Sequence, residues 1–133
     1  IRQISPVDMA PPGGHYSHAT IANGLVFVSG QLPITPSGER LHQANFEAQT
    51  RQTLANVQSA LEAAGSSVAQ LVQVRVYITD IALWPVFNEI YGQWVGNARP
   101  ARAAASRMAS AKTSRSMWDA GSAAALRSTT ANR

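Results

Sequence analysis

The chain has no cysteine, which removes disulfide staples, cysteine-ligated zinc and a thiol nucleophile from consideration. Apolar runs such as GLVFV fall far short of the roughly 20 residues that a bilayer-spanning helix needs. The first residues also lack the basic segment and apolar stretch of a secretory leader. These absences lead to the expectation of a soluble, cytoplasmic protein that does not engage a membrane. Two further absences are positional. All seventeen Val and Ile residues lie at or before position 95, and no Glu follows Glu89.

At 133 residues the chain suits a single domain, residues 1–133, with one apolar core. Its net charge of +4 is unevenly spread. Residues 1–100 hold five arginines against six acids, a net of −1, whereas residues 101–133 hold six basic residues against Asp119, a net of +5. The basicity therefore belongs to the last part of the chain and does not mark the whole domain as a nucleic-acid binder.

Periodicity predicts an alternation of strands and helices. Pro11, Pro12, Gly13 and Gly14 forbid a regular element and set a turn. ATIANGLVFVSGQLPI reads as a hairpin, with Asn23-Gly24 as the turn and Ser29-Gly30-Gln31 closing or bulging the second strand. From Phe46 the period becomes helical, with Phe46, Thr50, Leu54, Val57, Leu61 and Ala64 forming one stripe, Asn45 as N-cap and Gly65 as stop. Ser67 and Gln70 have the spacing of a capping box around one short turn. VQVRVYITD then alternates as a strand, with Val72, Val74, Val76 and Ile78 predicted to face one way. Asp80 suits a cap for a second helix through Phe87, Ile90, Tyr91, Trp94 and Val95, ended by Gly96. A sheet covered by two helices needs one more strand, which should begin near Arg102. The composition opposes it. Of the 31 residues from Ala103 to Arg133, 23 are Ala, Ser, Thr or Arg, a mixture poor in strand formers and suited to a solvated tail.

The segments GGHYSHA, LVFVSGQLP, EAQTRQTLANVQSALEAAGSS, VRVYITD, FNEIYGQW and RPARAA, in this order over about residues 10–104, resemble the RidA (YjgF/YER057c/UK114) family of imine deaminases. The resemblance implies a chorismate-mutase-like α+β subunit, a mixed sheet with two helices on one face, assembled as a homotrimer around a central β-barrel with sites between subunits. It implies hydrolysis of 2-iminobutanoate or 2-iminopropanoate, small 2-iminoacids, to the 2-oxoacid and ammonia, without a cofactor or a metal. By the same resemblance Arg102 binds the substrate carboxylate, for which a guanidinium fork is suited. Tyr16 and Ser29 face the reacting end, Asn88 lies at the subunit cleft, and Gly30 lets backbone approach the ligand.

The chain departs from the family after Arg102. Members continue with Val/Ile strands and a VEIE-like segment whose glutamate handles the attacking water; counting from Arg102 puts that position close to Met117. The nearest acid is Asp119, which could stand in only with a shift of about two residues and a shorter reach. Residues 105–133 are thus an atypical tail, and the abrupt change is the pattern an out-of-frame reading of a GC-rich gene would leave. Turnover weakened by the missing glutamate is the expectation.

Plainer readings stand beside these. Arg102 could be a solvated loop-end arginine, Tyr16 a packed turn residue and Ser29 a strand-end hydroxyl bonded to backbone. His15 and His18, three apart, have no third ligand in a metal motif. Two other functions follow from the resemblance and the tail: an endoribonuclease or translation inhibitor that binds RNA, or a non-catalytic trimer that binds small carboxylates. No pair of groups suited to RNA cleavage stands out, and Trp84, Tyr91 and Trp94 fall at helical positions that build a core or a subunit interface.

Overall fold

The computed structural model describes residues 1–106 and 125–131, the second stretch by its backbone. Among the described residues six strands form one mixed sheet: β1 (Arg2–Ile4), β2 (Ala19–Ala22), β3 (Leu25–Gln31), β4 (Leu71–Ile78), β5 (Ala101–Ser106) and β6 (Ala125–Ala131). Their spatial order is β1-β2-β3-β6-β4-β5. Two helices, α1 (Phe46–Ala63) and α2 (Trp84–Val95), pack with the buried side of this sheet into one core.

The hairpin turn is where the sequence puts it. Asn23 and Gly24 have φ of 51° and 73°, the left-handed pair that matches the twist of the flanking strands. The ladder between β3 and β6 changes register between Val28 and Gln31, so Ser29-Gly30-Gln31 is a bulge. All six residues of the α1 stripe are buried. The Asn45 side chain accepts the Ala48 N–H at 2.8 Å, and Gly65, at φ 76°, takes the chain out of the helix as no β-carbon-bearing residue would do cheaply.

Three expectations are corrected. Val72 does not share a face with Val74, Val76 and Ile78: it is half exposed, and Leu71 is buried in its place. A register irregularity between Leu71 and Gln73 inserts one residue there and reverses the alternation. Ser67 makes no side-chain cap bond to its short 3₁₀ turn; instead Ser66 bonds Gln70 at 3.3 Å. Asp80 caps a 3₁₀ turn, Ile81–Leu83, through the Ala82 N–H at 3.0 Å, and that turn leads into α2, whose first turn holds Pro85.

The composition of the last segment also misleads. Ala101–Ser106 pairs parallel to β4, and Ala125–Ala131 lies between β3 and β4, antiparallel to both. Without it, β3 and β4 would each present an unpaired row of N–H and C=O groups. Backbone pairing is indifferent to side chain, so two open edges accept a strand that its own composition would not nominate.

Asn56, on α1, fixes the loop after β3. Its amide donates to the carbonyls of Leu32 at 2.9 Å and Ile34 at 2.8 Å, and its oxygen accepts from Gln52. Asn56→Ala leaves two carbonyls without partners and should cost about 2–4 kcal/mol of unfolding free energy, measured by urea unfolding. A loss below about 1 kcal/mol would show that water replaces the amide freely.

Candidate active site

Two groups of side chains stand at separate places in the chain. The first is at the β3 bulge. Ser29 N–H donates to the His18 carbonyl at 2.9 Å, and its hydroxyl donates to the Ser17 carbonyl at 2.6 Å. The backbone-bonded reading of Ser29 is therefore realised, with a chemical consequence. Its proton is committed, so toward a ligand Ser29 offers lone pairs, which suit an iminium N–H or a water. Tyr16 is the converse. Its oxygen accepts the Gly13 N–H at 3.3 Å, and its own proton remains free to donate.

His18 and Gln31 hold this arrangement from behind. His18 Nε2 lies 2.8 Å from the Ala10 carbonyl, which can only accept, so Nε2 carries a proton. Nδ1 then accepts from Gln31 Nε2 at 3.4 Å, and the same amide donates to the Ser29 carbonyl at 3.1 Å. With both ring nitrogens engaged, His18 is a brace for the bulge rather than a metal ligand paired with His15. Tyr16, Gly30, His18 and Gln31 line a cavity of about 220 Å³ between this segment and the loop carrying Ile34 and Arg40.

The second group surrounds Arg102. Its guanidinium donates to Asn88 Oδ1 at 2.8 Å and lies over the rings of Trp84, 4.9 Å from the centroid, and Tyr91, at 5.0 Å. Register explains the contact. Arg102 is level with Val74 on the neighbouring strand, so it shares the side of the sheet on which Val74 is buried and on which α2 packs. Trp84, Asn88 and Tyr91, at i, i+4 and i+7, form one face of α2 that presents a flat apolar shelf with one amide oxygen. Phe87 stacks between Trp84 and Tyr91, with centroid separations of 5.4 and 5.8 Å. The guanidinium is thus oriented before any ligand arrives; Arg102 is exposed, but it stands on a strand rather than at a loop end. Trp84 and Tyr91, expected from their helical spacing to build a core or a subunit interface, also carry the Arg102 guanidinium; their spacing around Asn88 is the signal in the sequence for that contact.

The Tyr91 hydroxyl is buried without a hydrogen-bond partner among the described residues. Burial raises its pKa above the ordinary tyrosine range, opposed by the positive charges of Arg102 and Arg99. A raised pKa in the folded state means that stability is fully present below the unfolded value and falls as pH rises above it, toward the folded value. Tyr91→Phe should therefore be neutral or slightly stabilising at pH 7, and its advantage over the parent should grow above about pH 10. Paired thermal melts across that range measure it; an advantage that shrinks would contradict the burial argument.

Within one chain the two groups do not meet. Arg102 is level with Val74, Val74 with Ser128 and Ser128 with Val28, so β4 and β6 separate Arg102 from the Ser29 bulge. Three interstrand spacings amount to roughly 14 Å, too far for one small acid to touch both. Asp119 and the glutamate-equivalent position near Met117 lie outside the described residues. No Asp or Glu lines the cavity among the described residues.

The profile of the Endoribonuclease L-PSP family matches residues 7–113. A RutC family protein of Pyrococcus horikoshii is 36% identical over 105 residues, 78% of this chain and 83% of its own. The 3-aminoacrylate deaminase RutC of Acinetobacter baylyi is 33% identical over 99 residues, 74% of this chain and 79% of its own. The crystal structure of RidA from an Antarctic Psychrobacter superposes with a TM-score of 0.84 at 29% identity, over 98% of this chain and 99% of that one. With an α+β sheet and helices arranged as in these neighbours, the chain belongs to the RidA/YjgF family, described as Endoribonuclease L-PSP, and has its chorismate-mutase-like fold.

Proposed function

We propose that this protein hydrolyses small 2-iminoacids, 2-iminobutanoate or 2-iminopropanoate, to the 2-oxoacid and ammonia, in a cleft between two copies of the chain within a homotrimer. The observation that carries this reading is the Arg102 guanidinium, pre-oriented by Asn88 and the Trp84–Tyr91 shelf. A fork held in this way fits a planar carboxylate. The Tyr16–Ser29–Gly30 edge of a second copy supplies the other wall, because one chain separates the two groups. The A. baylyi relative, named as a deaminase of 3-aminoacrylate, supports the reaction class.

The residues then divide the work. Arg102 holds the carboxylate, which fixes the imine carbon against the Ser29 bulge. The Ser29 lone pairs favour the protonated, electrophilic imine, and the Tyr16 hydroxyl donates a hydrogen bond to the oxygen that becomes the ketone. Water adds to the imine carbon and releases one proton to solvent, the nitrogen takes one up, and the carbinolamine expels ammonia as the remaining hydroxyl proton leaves, giving the ketone. An iminium carbon is reactive without a strong base, so positioning supplies most of the rate.

Ammonia release from freshly generated 2-iminobutanoate, compared with the spontaneous rate and with Arg102→Ala, tests the reading. Release above both is expected. That no Glu follows Glu89 favours a second reading, a non-catalytic binder of small carboxylates; it gains if 2-oxobutanoate raises the melting temperature while ammonia release stays at the spontaneous rate.

A further inference from the structure

Arg40 gives the cavity beside Tyr16 and Gly30 a positive charge of its own. The other polar side chains on that wall are largely committed. His18 and Gln31 bond each other and the backbone, and both amide protons of Asn56 go to the Leu32 and Ile34 carbonyls. The sole ion pair among the described residues is Arg51 with Glu47, and the Arg40 guanidinium has no hydrogen-bond partner among them. The cavity therefore has one uncompensated cation and no described acid.

Arg40 is also presented on a stiff element. Ile34 and Arg40 form a β-bridge, Leu41 N–H donates to the Pro33 carbonyl at 3.0 Å, and Thr35 N–H donates to the Glu39 carbonyl at 2.9 Å. Gly38 turns the tip with φ of 91°, and Asn56 pins the base. Apart from the Tyr16 hydroxyl, the remaining side chains of the lining, which include Met9, Leu32 and Ile34, are apolar. Such a wall accepts a short carbon chain that ends in an anion.

We infer that Arg40 is a specificity residue that selects 2-iminoacids bearing a second carboxylate on the side chain, the first carboxylate being held by Arg102 of a neighbouring copy. This inference rests on the proposed function and deepens it by naming the acidic class of substrate. Oxaloacetate and 2-oxobutanoate provide a matched pair of stable product-like probes, since they differ chiefly in a carboxylate in place of a methyl group.

Calorimetric titration of the intact protein with each acid decides. Oxaloacetate should bind about tenfold more tightly than 2-oxobutanoate, an effect limited by the exposure of Arg40. Arg40→Gln should abolish that preference while leaving 2-oxobutanoate binding unchanged, which also shows that the variant is folded. Equal affinity of the parent for the two acids, or loss of both in Arg40→Gln, overturns the inference. Binding of 2-oxobutanoate without oxaloacetate overturns it while sparing the proposed function; binding of neither acid overturns both.

Discussion

Arg102→Ala should lower kcat/KM for 2-iminobutanoate about 30- to 100-fold, the loss expected for a charge-assisted, two-pronged bond to the substrate. The fold should be unaffected, because Arg102 is an exposed residue of edge strand β5. Arg102→Lys is the sharper variant. It keeps the charge but loses the planar fork and the flat contact with Trp84 and Tyr91, and a point charge on a flexible stem does not reproduce either. It should remain about tenfold below the parent. Full activity in Arg102→Lys would reduce the role of Arg102 to general electrostatics and make the shelf irrelevant.

Phe87→Ala should be the most damaging core substitution. Phe87 is fully buried and stacks on both Trp84 and Tyr91, so its removal leaves a cavity that aromatic neighbours in a helix cannot close. A cost of about 3–5 kcal/mol follows, seen as a fall of about 10–20 °C in Tm for a domain of this size. Its second effect separates it from an ordinary core deletion. With the ring gone, the surface under Arg102 loosens, and at temperatures where the variant is still folded KM should rise. A similar deletion away from the shelf, Leu61→Ala, also removes a fully buried side chain, yet should leave KM unchanged. Equal KM in the two variants would argue against the shelf as an orienting device.

Much of this architecture is legible because it is local. The α1 stripe, the Asn45 cap and the Asn23-Gly24 turn each depend on a few consecutive residues, and the structure realises all three. Elements decided by distant partners were less legible. Val72 faces outward because β4 slips by one residue against β6, and a strand's own alternation does not reveal its partner's register. The segments Ala101–Ser106 and Ala125–Ala131 lack β-formers; they are strands because β3 and β4 leave edges to be filled. Strand β1, Arg2–Ile4, has only three residues, too few to carry a periodic pattern.

The site divides along the same line. The resemblance puts Arg102 on the substrate carboxylate and Asn88 at the subunit cleft; the structure adds that the two are bonded to each other, so Asn88 aims the guanidinium. Tyr16 and Ser29 carry the hydrogen-bond polarity described above only because Gly13 and Ser17 lie beside them, and side-chain identity alone does not set that polarity. Arg40 belongs to no motif. Its role comes from the cavity that the loop after β3 makes with the turn before β2.

Mixing two half-site variants tests most directly whether the cleft is shared between two copies. Tyr16→Phe combined with Ser29→Ala removes one wall, and Arg102→Ala removes the other; each protein alone should release little ammonia from 2-iminobutanoate. Unfolded together in equal amounts and refolded, the two chains should form oligomers in which roughly a quarter of the clefts combine two intact walls, given random assortment around a closed ring. Recovery of about a quarter of the parental rate is the predicted result. No recovery from chains that demonstrably co-assemble would contradict a site built from two copies.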